Sequence, residues 1–171
     1  MSQRERLLGR RLPPTTVRIR VDFSTESDSI RAELESAQRA LAEAVTAEEV
    51  ASARQRVDTC QARWDACHEV LTVNPLAPHA YDELISAHPP TDEQRDHGFE
   101  WNPDTFVPAL LAACIGQDAD DPMTEQDWAE WISTPQAAAS GEVALLVHTC
   151  IQVNDRSPDI QVGKGFGGTP V

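Results

Sequence analysis

Large rings are scarce in this chain: four Trp, four Phe and a single Tyr stand among 171 residues, 5% of the total. Much of the 40% hydrophobic fraction is alanine, which favours helix but buries little area per residue. A thin, mostly helical core is therefore expected. Lysine is nearly missing too, with Lys164 the only one, so positive charge is carried by arginine. No window approaches the roughly 18 apolar residues that a membrane-spanning helix requires. The opening Met1-Ser2-Gln3-Arg4-Glu5-Arg6 has none of the apolar run of a secretory leader. The expectation is a cytoplasmic protein with reduced thiols at Cys60, Cys67, Cys114 and Cys150.

What the chain has in excess is negative charge, a net −14 that is unevenly placed. Residues 1–20 carry Arg4, Arg6, Arg10, Arg11, Arg18 and Arg20 against Glu5 alone, whereas residues 75–135 carry thirteen Asp or Glu against Arg95 alone. Such a body repels phosphate backbones and anionic bilayers, so neither nucleic acid nor a membrane is expected as a partner. It suits solubility, or attraction toward a basic protein partner. The basic arm reads as a solvated tail.

Val17, Ile19, Val21 and Phe23 alternate with Arg18, Arg20 and Asp22, which predicts a strand over residues 16–23. Its partner is left open among Leu71-Thr72-Val73, Ile160-Gln161-Val162 and another subunit. From Ile30 the period changes: Ile30, Leu34, Ala37, Leu41 and Val45 form a helical stripe. Thr46 and Glu49 fit a capping box, and Val50, Val57, Trp64 and Leu71 repeat every seven residues with Cys60 and Cys67 between them. Either an antiparallel hairpin or one long helix accounts for this. Asn74-Pro75-Leu76-Ala77-Pro78 marks the best internal boundary. Short helices follow: His79 to Ala87, a turn capped by Thr91 with Gln94, one begun by Asn102-Pro103 and one capped by Thr124, with a last one capped by Ser140. The fold class is mainly α, with one N-terminal strand, a hairpin or long helix, a compact bundle of short helices and a flexible Gly-rich tail. The expected divisions are 1–28, 29–74, 75–154 and 155–171.

Nothing reads as a reaction centre. The Gly163-Lys164-Gly165-Phe166-Gly167-Gly168 run lacks the spacing of a phosphate loop, and no helix can start in it. His68, His79, His88, His97 and His148 are scattered singly, and Asp118, Asp120 and Asp121 lack the closing Glu of a calcium loop. Cys60, Cys67 and His68 have no second pair to complete a zinc site. No catalytic residue, metal or cofactor is expected. The residues to weigh are Trp101, Phe106, Trp128 and Trp131: most of them fit a core, and any left partly open would anchor a partner protein.

His88-Pro89-Pro90-Thr91 to Gly98, Glu100-Trp101-Asn102-Pro103-Asp104-Thr105-Phe106, Met123-Thr124 to Trp131 and Ser140-Gly141-Glu142-Val143 together resemble the tail assembly chaperones of long-tailed actinobacterial phages and prophages. The likeness covers about residues 70–154, and the Trp-Asn-Pro-Asp-Thr-Phe run is its most distinctive part. It implies a small, acidic, helical protein that coats the tape-measure protein and helps recruit tail-tube subunits. It also implies residence in the host cytoplasm and absence from the mature virion, and it brings no catalytic residues. Trp101, Phe106, Trp128 and Trp131 are the residues we place at the implied partner surface, with self-association left open. The alternative is a virion structural piece, a head–tail connector or tail completion protein.

Overall fold

The computed structural model describes residues 2–116 and 120–155. Among these it has eight helices and two strands, in the order α1 (Gln3–Leu8), β1 (Thr15–Arg20), α2 (Thr25–Glu43), α3 (Ala47–Asp65), β2 (His68–Val73), α4 (Pro78–Ala87), α5 (Asp92–Asp96), α6 (Pro103–Cys114), α7 (Glu125–Ser133) and α8 (Ser140–Asn154). The mainly helical class is as expected. Asp118, the proposed strand at Ile160-Gln161-Val162 and the Gly-rich run lie outside the described residues.

The chain divides into two compact units. Residues 15–73 form one. Residues 2–14 with the described part of 74–155 form the other.

In the first unit an antiparallel ribbon carries a helical hairpin. β1 pairs with β2 from Thr15 opposite Val73 to Arg20 opposite His68. The Val21 and Asp22 amides then both donate to the Cys67 carbonyl, at 2.9 and 3.3 Å, and close the junction with the helices. The strand stops at Arg20, leaving Val21 and Phe23 exposed.

The two helices form the hairpin reading. Thr46 Oγ1 accepts from the Glu49 amide at 3.2 Å, and Glu49 Oε2 accepts from Thr46 N at 2.9 Å and Val45 N at 3.1 Å. That box turns the chain, and the same bonds hold the Glu49 carboxyl below its ordinary range. Each helix has 19 residues, about 28 Å at 1.5 Å per residue. Ile30, Leu34 and Ala37 are buried on α2 but only Ala53 on α3, so α3 offers a small side chain to the larger ones of α2, while Val45 at the tip is exposed.

Two boundaries differ from expectation. α2 begins at Thr25, because Ser24 Oγ caps the Ser27 amide at 3.2 Å and starts the helix before its apolar stripe. α3 ends at Asp65, so Leu71 is not its last apolar position. The Cys67 amide bonds back to the Trp64 carbonyl, and His68–Val73 extends as β2.

At the base of the hairpin Arg20 is held from several sides. Its guanidinium donates to the Asp22 carbonyl, to Ser27 Oγ at 2.6 Å and to Asp28 Oδ1 at 2.7 Å. It also lies 4.8 Å from the Phe23 ring centroid and 5.2 Å from that of Trp64. Ser27 is fully buried and its Oγ sits 2.9 Å from the Asp22 carbonyl oxygen and 2.8 Å from that of Ser24. Removing this hydroxyl strands the groups around it. We expect Ser27→Ala to destabilise the unit by about 1–3 kcal/mol in chemical denaturation, while Ser29→Ala, at an exposed site, stays within about 0.5 kcal/mol.

Candidate partner-binding surface

The second unit is organised by α6. Asn102 caps it, accepting from the Asp104 amide at 3.0 Å, and Pro103 occupies its first turn, where no amide hydrogen is needed. Phe106, Pro108, Ala109, Leu110, Leu111 and Cys114 are all buried, which leaves α6 apolar on most of its circumference. Helices α4, α7 and α8 pack on it. Leu146, Cys150 and Val153 supply the buried face of α8.

The four rings fall into two pairs. Trp101 precedes α6 and tilts against Phe106, with centroids 4.5 Å apart, while His88 meets Phe106 edge-on at 6.1 Å. The segment is tied down by the Asn102 amide, which donates to the His88 carbonyl at 2.9 Å, and by Gln94 Nε2, which donates to Asn102 Oδ1 at 3.2 Å. Gln94 also completes the capping box of Thr91, as the sequence suggests. On α7, Trp128 and Trp131 meet edge-to-face at 5.6 Å.

Burial separates the members of each pair. Phe106 is fully enclosed and Trp128 is 3% exposed, so these two are core. Trp101 and Trp131 are half-buried and keep part of each ring at the surface. An outward role for all four thus narrows to Trp101 and Trp131. Met123 and Phe99 are exposed nearby in the sequence.

The surroundings of these rings are acidic. Glu100 and Asp104 flank Trp101 and Phe106 along the chain, and α7 carries Glu125, Asp127 and Glu130. Some of this charge serves the helices. Asp127 Oδ2 accepts from the Thr124 hydroxyl at 2.6 Å and the Thr124 amide at 2.8 Å, which holds its carboxyl below the usual range. Glu142 Oε2 likewise accepts from the Ala139 amide at 2.9 Å. Ala139, not Ser140, is therefore the N-cap of α8, and Ser140 is its first helical residue.

A polar staple missed in the sequence is Asn154. Its Oδ1 accepts from the Leu76 amide at 2.8 Å, and its Nδ2 donates to the Cys150 carbonyl at 2.8 Å and reaches Cys114 Sγ at 3.5 Å. The Cys150 thiol hydrogen-bonds to Cys114; this contact lowers the Cys114 pKa and, with burial, pushes that of Cys150 far up. Among the described residues no three His, Cys, Asp or Glu side chains are placed to hold a metal ion. His88 meets Phe106 edge-on, and His97 is an exposed residue closing α5. An open groove of about 680 Å³ lies beside the hairpin turn, lined by Ala40, Glu43, Val45, Glu49 and Arg56. No described helix is long and apolar enough to cross a membrane.

Compared with known proteins, the chain matches no family, no curated sequence and no solved structure.

Two measurements check this arrangement. Trp128 Nε1 is buried without an acceptor among the described residues, so Trp128→Phe forfeits no hydrogen bond among them. We expect it to cost less than about 2 kcal/mol, against about 3–5 kcal/mol for Trp128→Ala. Cys60 is half-buried while Cys67, Cys114 and Cys150 are buried. One thiol, that of Cys60, should therefore react with an aromatic disulfide reagent in the native protein, and the other three only after denaturation.

Proposed function

We propose that this protein is a phage tail assembly chaperone that binds the tape-measure protein and helps bring tail-tube subunits to it. The observation that carries the reading is the Trp-Asn-Pro-Asp-Thr-Phe segment, which resembles that family and here forms a rigid cap of α6. Phe106 and the Asn102 hydrogen bonds fix Trp101 from behind, leaving part of its ring outward between Glu100 and Asp104. On α7, Trp131 stands on Trp128 in the same manner, beside Glu130.

A half-open ring on a rigid base loses little entropy on binding and buries a large area. Carboxylates around it favour a helix that carries Arg or Lys beside its apolar stripe, and they disfavour acidic competitors. An amphipathic segment of a long helical tape measure has that character. Shielding such segments before assembly needs reversible contact and no bond-making chemistry.

The test is co-expression with the tape-measure protein encoded in the same genome. The chaperone should raise the soluble fraction of that protein several-fold, and Trp131→Ala should reduce the gain while the variant keeps its native circular dichroism. Continued aggregation of the tape measure beside well-folded chaperone overturns the reading. Recovery of this chain in stoichiometric amount from purified virions would favour the structural-piece alternative.

A further inference from the structure

We propose that the basic, leucine-bearing N-terminal segment, residues 3–12, docks onto the acidic segment 92–104 of a second copy of this chain. The segment is not plain coil. Ser2 and Glu5 form a reciprocal capping box, with Glu5 N to Ser2 Oγ at 3.2 Å and Ser2 N to Glu5 Oε2 at 2.7 Å, and α1 follows. Yet α1 buries none of its residues, and Leu7 and Leu8 are 62% and 68% exposed, with Leu12 also open. A six-residue helix is far shorter than one that persists in water by itself. A capped turn with uncovered leucines calls for a surface to rest on.

Charge selects that surface. Arg4, Arg6 and Arg10 make no ion pair among the described residues, and Arg11 donates only to the Leu8 and Arg10 carbonyls of its own turn. Four cations thus stand against Glu5 alone. In the 92–104 segment Asp92, Glu93, Asp96, Glu100 and Asp104 are all exposed, and the one cation, Arg95, is already paired with Asp92 at 2.8 Å. Phe99 lies in their midst, 46% exposed, where the turn after Gly98 (φ +83°) sets it out. Leucines between arginines meet a ring between carboxylates.

The occupant follows from the same ledger of charge. A chain of net −14 is repelled by anionic lipid and by nucleic acid. A second copy carries the same −14, but it brings an acidic segment with Phe99 in its midst wherever the arm is present. Reciprocal docking of two arms closes a two-fold pair and leaves neither arm free to extend the assembly.

Sedimentation of the full chain tests this without any other partner. At about 10 mM salt the protein should form dimers. At about 1 M salt, where the screening length falls from about 30 Å to about 3 Å, the dissociation constant should rise at least about tenfold. The exposed-site variant R4E/R6E/R10E/R11E should be monomeric under both conditions, as should D96K/E100K. Mixed together at low salt, the two variants should pair with each other, which neither a folding defect nor a loss of solubility would produce. Leu7→Ser with Leu8→Ser should weaken the dimer at both salts. A wild-type chain that stays monomeric at every concentration and salt overturns the proposal. So does an arm-reversed variant that associates like wild type, or a mixture that fails to pair. No tape-measure protein is present, so the outcome is read separately from the chaperone reading; a docked arm would cover Glu100 and Asp104 and compete with a tape-measure segment for that surface.

Discussion

One helix that is apolar on most of its circumference sets the terms for everything between residues 74 and 155. Phe106, Leu110 and Cys114, four residues apart, share one face of α6, while Pro108, Ala109 and Leu111 lie around the rest of its circumference, so no single neighbour can cover it. α8 answers with Leu146, Cys150 and Val153, and α7 with Trp128, while α4 packs on it as well. Of the helices around α6, α7 and α8 start with a carboxylate bonded back to the N-cap amide, and α4 starts with Pro78. Pro108 lies inside α6 with its ring buried, where it adds to the apolar surface but cannot donate a helical hydrogen bond to Asp104. The half-buried rings at Trp101 and Trp131 are the outer margin of this same packing, which is why their backs are rigid and their edges are free.

The hairpin unit solves a different problem. Its helices are polar over most of their surface, and their contact uses Ala37 and Ala53 beside Ile30 and Leu34. Such a contact gains little from burial. Polar ties supplement it: Arg63 bonds Glu33 across the two helices at 2.6 Å, and Arg18 reaches Asp65 at 2.5 Å. These pairs are half-exposed and contribute little each. Arg20 differs, since its guanidinium is mostly enclosed and meets a buried hydroxyl, a carboxylate and two rings.

Much of this was legible because capping chemistry is local. Thr46 with Glu49, Thr91 with Gln94, Asn102 with Pro103 and Thr124 with Asp127 each mark a helix start, since the side chains that satisfy the first amides lie within three residues. The same signal in Ser2 and Glu5 was passed over because so short a helix has no apolar stripe to announce it. The heptad run carried α3 too far for a related reason. Leu71 falls in step with Val50, Val57 and Trp64, yet Val70, Thr72 and Val73 favour an extended chain once β1 is there to pair with it. Tertiary pairing decided that boundary. Which of the four rings are enclosed was not legible at all, because Trp128 and Trp131 differ only in which edge of α7 meets α6. Asn154 was equally silent, its partners lying at Leu76 and Cys114, far away in sequence.

The ribbon's placement has a kinetic consequence. β1 and β2 are joined only through both long helices, so their ladder is the least local contact of that unit. An unstructured loop of that length would make closure slow and entropically expensive. Helices nucleated by Ser24 and Thr46 form within microseconds and bring residues 20 and 68 together as their ends. The zipper therefore closes after the arms that carry it.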